Sequence, residues 1–379
     1  MMPGISLCMI TKDEQEFLEQ CINSVKSAVD EIIVVDTGST DKTKEIAKKL
    51  GAKVFDFEFN DDFSEAKNFC ISKASHEYIL SLDADEAVSE EDAARIKEII
   101  KENADGFKFK IRNYFKAGIK TPAALNDSYE ESKNYAGWHE AELIRLFKNK
   151  KDIYFTNIIH ESVADSIRKL NGKIKPADIV IHHFGFAVKQ RSENKTKKYI
   201  QMQEKQIKLT PNNPKPYYEL GAIYLGQDNC EKAVELFEKA RQLLKEDDIL
   251  LIHKYLYHDL GRAYLKLKNL EKARHVFEKA QDIDQNNYST QFFLGLICDE
   301  QEDYPNAVRH YEISIKLNPQ NPSAYCNLGI IYIKQKHYNK AYEILSKAYE
   351  LEPGKELAQT LKSLQKNLGK KPDITYRNV

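Results

Sequence analysis

The pattern of hydrophobic and polar residues changes character near the middle of the chain. Between residues 5 and 111, short apolar, β-branched runs alternate with stretches whose apolar residues recur at helical spacing. The predicted strands are 5–10, 31–36, 52–57, 77–83 and 106–111, and the predicted helices are 14–28, 40–50, 63–74 and 90–102. Strands that alternate with helices of this length predict right-handed crossovers and a mostly parallel sheet. The first half is therefore predicted to be an α/β domain.

The pattern becomes irregular between 112 and 185. We expect a polar loop around 113–137, followed by strands near 142–147, 152–156 and 178–183. An appended region of this kind commonly supplies the acceptor side of a site, because loops carry function on a rigid scaffold. The segment 187–210 is then predicted to be a helix that joins the two halves rigidly.

From residue 217 onward only helices are predicted, and the sequence repeats itself. The segments ELGAIYL, DLGRAYL, FLGLICD and NLGIIYI share a glycine, and the helix after each shares an alanine, at spacings of 40, 34 and 34 residues. These positions are Gly221, Gly261, Gly295 and Gly329, then Ala233, Ala273, Ala307 and Ala341. Small residues at this period are typical of tetratricopeptide repeats, whose paired helices approach closely. We expect about four repeats over 211–368, with a capping helix at 355–368 and a frayed tail at 369–379.

Composition changes this picture little. A chain of 379 residues exceeds the usual size of one core, so two domains are expected. The balance of 57 basic and 58 acidic residues gives no reason to expect nucleic acid as a partner. The six cysteines form no CxxC pair, and neither a signal peptide nor a membrane span is recognisable. We therefore expect a cytoplasmic protein with no transmembrane segment.

Acidic residues follow two of the predicted strands. Asp36 ends the IIVVD run, Asp83 ends the strand at 77–83, and Asp85 comes two residues later, within the sequence LDAD. The carboxyl ends of the strands in an open parallel sheet form the crevice where ligands bind. Carboxylates at alternate positions can point into one pocket, and such hard oxygen ligands suit Mg²⁺ or Mn²⁺. The two strand ends suggest a nucleotide and a metal handled together, and hence an enzyme.

The order of these segments also supports a family resemblance. SLCMITKDEQEFLEQCINSV, DEIIVVDTGSTDKTKEIA, DDFSEAKNFCISKA and YILSLDADE together resemble glycosyltransferase family 2, whose members have the GT-A fold, invert the anomeric centre and use nucleotide-diphospho-sugars. The segments at 138–162 and 181–186, the latter IHHFGF, resemble the subgroup in which this domain precedes tetratricopeptide repeats. The resemblance implies a GT-A domain at 1–186 followed by an all-α solenoid.

The resemblance assigns roles to single residues. Asp36 would accept a hydrogen bond from the uracil or ribose of a UDP-sugar, Asp83 would approach the ribose, and Asp85 the metal. His183 would complete the metal shell or touch the diphosphate. The other residues of the donor pocket would be Thr11, Glu14, Lys67 and Asn68.

Ordinary structural explanations stay open for several of these residues. Glu14 equally suits a helix first turn, where the dipole favours an acid. Lys67 keeps the charge of the arginine found in relatives but loses its bidentate fork. A lone histidine such as His183 can be a satisfied structural group. Ser39 and Asp41 suit helix capping rather than binding.

The acceptor side is less determined. Inversion requires in-line attack, so a carboxylate should remove the proton of the acceptor. The family's base comes from just before the RLF strand, which favours Glu140, with Glu142 and Glu161 as alternatives. Trp138 suits either a sugar-stacking platform or the core.

Three functions follow from these residues. The leading hypothesis is an inverting, metal-dependent transferase that moves a sugar from a UDP-sugar to a peptide or protein held partly by the repeats, because stacked helix pairs form a groove suited to extended peptides. In the second, the acceptor is a surface glycan or lipid-linked sugar, and the repeats serve docking or homodimerisation. In the third, the chain is a scaffold whose transferase domain has decayed, against which the retained acids argue.

Overall fold

The computed structural model describes residues 4–115, 129–133, 135–185, 193–244 and 250–369. The chain divides into two compact units, Met1–Leu209 and Thr210–Val379. The helix at 193–209, expected as a rigid link between the halves, therefore lies within the first unit. Residues 187–192 of the expected link and 370–379 of the expected tail lie outside the described residues.

The first unit is built on one sheet. Its strands are β1 (Ile5–Thr11), β2 (Glu31–Asp36), β3 (Lys53–Asp56), β4 (Tyr78–Ser81), β5 (Glu86–Val88), β6 (Gly106–Phe115), β7 (Gly137–Lys148) and β8 (Ile174–His183). They pair in the order β3-β2-β1-β4-β7-β6-β8-β5. The first four in this order are parallel, as predicted for an α/β domain. Beyond them β7 runs antiparallel to both neighbours, so the complete sheet is mixed.

Helices and loops cover both faces of this sheet. They include α1 (Leu18–Val25), α2 (Thr43–Lys49), α3 (Phe63–Ile71), α4 (Glu90–Ile99), α5 (Ala164–Lys169) and α6 (Glu193–Leu209). Side chains alternate along β1, so Leu7 and Met9 join one apolar cluster and Cys8 joins the cluster on the other face. The two cores hold the strands firmly, which fixes the positions of the residues at their carboxyl ends.

The strand predicted at 152–156 is wrong. Alternate residues of this segment are buried, which imitates a strand, but the backbone groups of Tyr154 and Phe155 bond to side chains, and Thr156 forms an isolated β-bridge with Ser162. The N–H of Phe155 donates to Asn68 Oδ1 at 2.8 Å, and its carbonyl accepts from Asn68 Nδ2 at 2.9 Å. The N–H of Tyr154 donates to Ser166 Oγ at 3.1 Å. The polar loop predicted around 113–137 falls largely on residues 116–128 and 134, outside the described residues.

One residue of β7 interrupts the regular pairing with β6. Phe107 is opposite Leu146, but the next residue, Lys108, is opposite Ile144. Arg145 is therefore the extra residue of a β-bulge, a distortion that commonly redirects a side chain.

The second unit consists of helices alone in its described part. These are α7 (Pro214–Gly226), α8 (Cys230–Leu243), α9 (Leu250–Lys266), α10 (Leu270–Ile283), α11 (Tyr288–Glu300), α12 (Tyr304–Leu317), α13 (Pro322–Lys334), α14 (Tyr338–Leu351) and α15 (Lys355–Asn367). Consecutive helices pair, which confirms the predicted repeats. None of the helices in the described ranges is both long and apolar enough to cross a bilayer.

The predicted reason for small residues in the repeats is visible at each glycine. A Cβ at Gly221 would lie 2.7 Å from the ring of Phe237, and a Cβ at Gly261 would lie 2.7 Å from the ring of Phe277. The equivalent pairs are Gly295 with Tyr311 and Gly329 with Leu345. Each glycine thus receives a side chain from the second helix of its own pair.

Candidate active site

Asp83 lies two residues after the end of β4 and is held between two cations. Lys67 of α3 places its Nζ 3.2 Å from Asp83 Oδ1, and Arg145, redirected by the bulge, places Nη2 3.1 Å from Oδ2. Burial opposes the ionisation of Asp83, but the attraction of both cations outweighs it and lowers the pKa of Asp83 well below its ordinary value. Asp83 is therefore an anion with a fixed orientation.

Two further carboxylates complete an ionic network around Asp83, whose own side chain is 40% exposed while its partners are mostly buried. Glu86 accepts from Arg145 Nη2 at 2.5 Å and from the N–H of Asp83 at 2.9 Å. Glu161 lies 2.6 Å from Lys67 Nζ. No motif in the sequence points to Glu86, although it directly follows the acidic pair, and Glu161 is expected from the sequence only as an alternative base. Burial raises the pKa of Glu86 to about 7, although Arg145 opposes this. Even with Glu86 counted as neutral, Asp83, Asp85 and Glu161 outnumber the two cations, so the charge of the site favours a further cation.

Asp85 faces His183 across a gap of 3.4 Å between Oδ2 and Nε2. His183 Nδ1 is 2.7 Å from the side-chain oxygen of Asn113, which can only accept, so Nδ1 carries a proton. In the neutral imidazole Nε2 then presents a lone pair towards Asp85, so a proton on Nε2 or a bound cation would stabilise this pair of acceptors. Burial alone would lower the pKa of His183, but Asp85 raises it.

These two side chains fit part of a metal site. Among the described residues, no group of three or more His, Cys, Asp or Glu side chains is arranged to hold an ion. Mg²⁺ usually keeps several waters and takes its other ligands from one or two carboxylates and a substrate phosphate. Asp85 and His183 would thus be the protein's share of such a shell.

Gly185 gives the Asp85 carboxylate its space. A Cβ at position 185 would lie 1.8 Å from Asp85 Oδ2 and 3.3 Å from His183 Nε2. Any side chain there would displace the carboxylate. The HFG order around His183 carries this signal in the sequence, where the histidine is predicted to be a ligand and the glycine is given no role.

Thr11 and Asp36 lie side by side at the carboxyl ends of β1 and β2, where they are opposite each other in the sheet. Asp36 Oδ1 accepts from the N–H groups of Gly38 and Ser39, at 3.1 and 2.9 Å. Asp36 Oδ2 and Thr11 Oγ1 are buried and have no hydrogen-bond partner within the described ranges. Buried polar atoms are nearly always paired, so this pair fits a polar ligand.

The other predicted donor residues have structural contacts. Glu14 donates its N–H to Thr43 Oγ1 at 2.8 Å, which ties its loop to α2. Both polar groups of the Asn68 side chain bond to the backbone of Phe155. Asn68 thus supports the 153–161 loop rather than presenting its amide to the cleft.

Glu140 and Glu142 lie in the exposed part of β7. Glu140 is opposite Arg112 on β6, with an ion-pair distance of 4.0 Å and 46% side-chain exposure. Asn113, the next residue on β6, is opposite His183. Side chains alternate along a strand, so Glu140 and Glu142 lie on the other face of this part of the sheet from His183.

Trp138 is not free to form a sugar platform. It is 8% exposed, and the guanidinium of Arg112 lies over its ring at 4.3 Å. Tyr114 packs edge-on against the same ring at 6.0 Å. The structure thus supports the core interpretation of Trp138.

An acidic site at the carboxyl ends of parallel strands, followed by a helical repeat array, defines a class of nucleotide-sugar transferase with an appended solenoid. Comparison with known proteins agrees. Residues 6–168 match the model of glycosyl transferase family 2, and residues 214–286, 295–336 and 322–355 match tetratricopeptide repeat models.

Curated relatives are named either as glycosyltransferases or as TPR repeat-containing proteins. A TPR repeat-containing protein of Synechococcus elongatus is 37% identical over 192 residues, which cover 49% of this chain and 43% of that protein. The SPbeta prophage-derived glycosyltransferase SunS of Bacillus subtilis is 26% identical over 241 residues, covering 63% and 53%. An uncharacterized glycosyltransferase of Rickettsia typhi is 32% identical over 212 residues, covering 54% and 68%. The chain spans about half the length of the first two.

The chain belongs to glycosyl transferase family 2 and carries tetratricopeptide repeats after the family domain. Among solved structures, the TPR protein YrrB is similar with a TM-score of 0.40 and 23% identity, covering 45% of this chain and 84% of YrrB.

Proposed function

We propose that the protein is an inverting glycosyltransferase that moves a sugar from a UDP-sugar to a peptide or protein acceptor with the help of Mg²⁺ or Mn²⁺. The observation that carries the proposal is the fixed Asp83, held by Lys67 and Arg145 beside the Asp85–His183 pair. An ionised, oriented carboxylate next to an incomplete cation shell suits recognition of a nucleotide diphosphate.

The donor would lie along the ends of β1, β2 and β4. Asp36 Oδ2 and Thr11 Oγ1 offer unpaired polar atoms to the base or ribose. Asp83, which follows the neighbouring strand β4, would bind the ribose. A divalent ion held by Asp85 and His183 would neutralise the charge that develops on the leaving diphosphate.

Glu140 and Glu142, the bases expected from the sequence, are exposed on β7 but lie on the other face of the sheet from His183. Proton removal from the acceptor is therefore not assigned to either of them. Glu161 is also poorly suited to this role, because its carboxylate is already bound to Lys67 at 2.6 Å. A base must be within hydrogen-bond reach of the acceptor in the complex, although apo geometry is often looser.

A peptide or protein acceptor is favoured by the repeat unit. A groove of about 640 Å³ there is lined by charged and tyrosine side chains, among them Tyr257, Tyr264, Lys272 and His275. A groove lined by charged and tyrosine side chains suits a polar, extended peptide better than a small sugar.

The test is release of UDP from UDP-sugars in the presence of Mn²⁺. We expect turnover by the wild type, loss in Asp85→Ala, and wild-type turnover in Asp282→Ala, which removes an exposed aspartate of the repeat unit. A wild type that binds UDP yet releases none from any UDP-sugar would contradict the proposal and favour the scaffold hypothesis.

A further inference from the structure

The loop 157–161, which presents Glu161 to Lys67, has an unusual backbone. Asn157 and His160 have φ values of 74° and 53°, in the left-handed region. Between them Ile158 and Ile159 are buried, with exposures of 2% and 7%. Non-glycine residues in this region cost on the order of 1 kcal/mol each and persist only where the surroundings hold them. The loop therefore depends on its neighbours for its shape.

Helix α6 is one of those neighbours. The N–H of Ile158 donates to the side-chain oxygen of Gln206 at 2.6 Å, in a buried bond. Met202 packs with Ile158 and Ile159 in one apolar cluster. The ring of His160 bonds to the hydroxyl of Tyr199, 2.5 Å away. Three positions of α6, about one turn apart, thus hold the loop.

The same loop also reaches α3, the helix that carries Lys67. The carbonyl of Ile158 accepts from the N–H of Phe63 at 3.0 Å, in the first turn of α3. Ile158 thus bonds to α6 through its N–H and to α3 through its carbonyl. These two hydrogen bonds fix the loop, and with it Glu161, relative to Lys67.

Lys67 is shared between two carboxylates. Its Nζ is closer to Glu161, at 2.6 Å, than to Asp83, at 3.2 Å, and Lys67 is only 6% exposed. Without the charge of Glu161, the buried ammonium would have Asp83 as its main counter-ion on this side and would draw that carboxylate away from its present position.

We propose that Glu161 is a positioning residue, which acts through Lys67 to orient Asp83, and that α6 sets Glu161 through Gln206. The effect on donor binding rests on the proposed function, because it requires that Asp83 contact the donor. The effect on the backbone of residues 83–86 does not rest on the proposed function. Helix α6 is then a working part of the donor site, although it lies beyond the segment that matches the family domain.

The test uses the full chain and three variants. Glu161→Gln keeps the shape of the side chain and removes its charge, and Gln206→Leu removes the acceptor of the Ile158 N–H. Gln201→Leu is the matched control, because Gln201 is an exposed glutamine on the same helix. The measurements are UDP affinity by calorimetry with Mn²⁺, amide hydrogen exchange at residues 83–86 and 157–161, and thermal stability.

We expect Glu161→Gln and Gln206→Leu each to weaken UDP binding about tenfold, equivalent to about 1.4 kcal/mol. Both should accelerate exchange at Asp83 and Glu86, whose backbone groups bond to each other at 3.1 Å. Gln201→Leu should change neither. Because Gln206 is proposed to act through Glu161, the double variant should lose less UDP binding free energy than the sum of the two single losses.

Several results would overturn the inference. Wild-type exchange at 83–86 in both variants would show that the loop does not orient Asp83, whatever the protein binds. Unchanged UDP binding in Glu161→Gln would show that Glu161 does not act on the donor site, and tighter binding would show that Glu161 competes with the donor for Lys67. If the losses of UDP binding free energy in the two single variants add strictly in the double variant, Gln206 does not act through Glu161. If the wild type itself binds no UDP, the proposed function fails, while the exchange data still decide the positioning role.

Discussion

Replacement of Gly185 by alanine tests the geometry of the site with a single methyl group. An ideal Cβ would lie 1.8 Å from Asp85 Oδ2, and real Cβ contacts essentially never fall below 3.0 Å. The carboxylate must therefore move by at least 1.2 Å, the difference between these two distances. Metal–ligand distances tolerate only about 0.2 Å. The movement thus exceeds what a metal shell with Asp85 can absorb.

We expect Gly185→Ala to reduce the kcat/KM of UDP-sugar hydrolysis about 100-fold, because a displacement of about 1 Å in a reacting group costs about that much. The fold should survive, since Asp85 has 15% side-chain exposure and can rotate away. Circular dichroism and the Tm check this, and Gly226→Ala is the control, because a Cβ there meets no atom within 4 Å. A folded Gly185→Ala protein with wild-type turnover would refute the assignment of Asp85 to the reacting centre.

Three other predictions concern separate parts of the molecule. Gly261→Ala should lower the Tm without changing UDP affinity, because the new Cβ would overlap the ring of Phe277 and overpacking costs about 1–3 kcal/mol; an unchanged Tm would contradict the packing argument. Burial opposes ionisation of Glu31, but bonds from groups such as Lys53 lower its pKa from 4.5 to about 2, so its stabilising contribution is complete above pH 4.5 and disappears as the pH falls towards 2. Acid unfolding of Glu31→Gln should therefore depend less on pH in that interval, and an identical acid limb would exclude this role. Glu140→Gln should leave sugar transfer at the wild-type level, because Glu140 lies on the other face of the sheet from His183; a loss of about 100-fold with UDP affinity retained would instead identify Glu140 as the general base.

The parts of the fold that sequence reasoning predicted depend on local patterns. The parallel strands β1 to β4 follow from β-branched runs between amphipathic helices, and the repeats follow from glycine and alanine at a fixed period. Asp36, Asp83 and Asp85 could be found because they lie at the end of such a strand or within four residues of it. In these cases the residues that carry the signal are close together along the chain.

The parts that could not be predicted depend on contacts between distant segments. Nothing within the run LIRLF shows that Arg145 is the extra residue of a bulge, because the pairing with β6 decides this. Glu161 reaches Lys67 across 94 residues, and Asn113 reaches His183 across 70. At 152–156 the alternation was real, but the side chain of Asn68 took the place of a neighbouring strand.

The packing of the repeats has a consequence for how this chain can change over generations. Each glycine is filled from the second helix of its own pair, sixteen residues further on, as in Gly261 with Phe277 and Gly295 with Tyr311. Duplication or loss of one whole 34-residue module would therefore leave every remaining glycine with its filling side chain. The number of repeats can therefore change by duplication or deletion of a gene segment, and the glycine contacts within the remaining repeats need no compensating substitution.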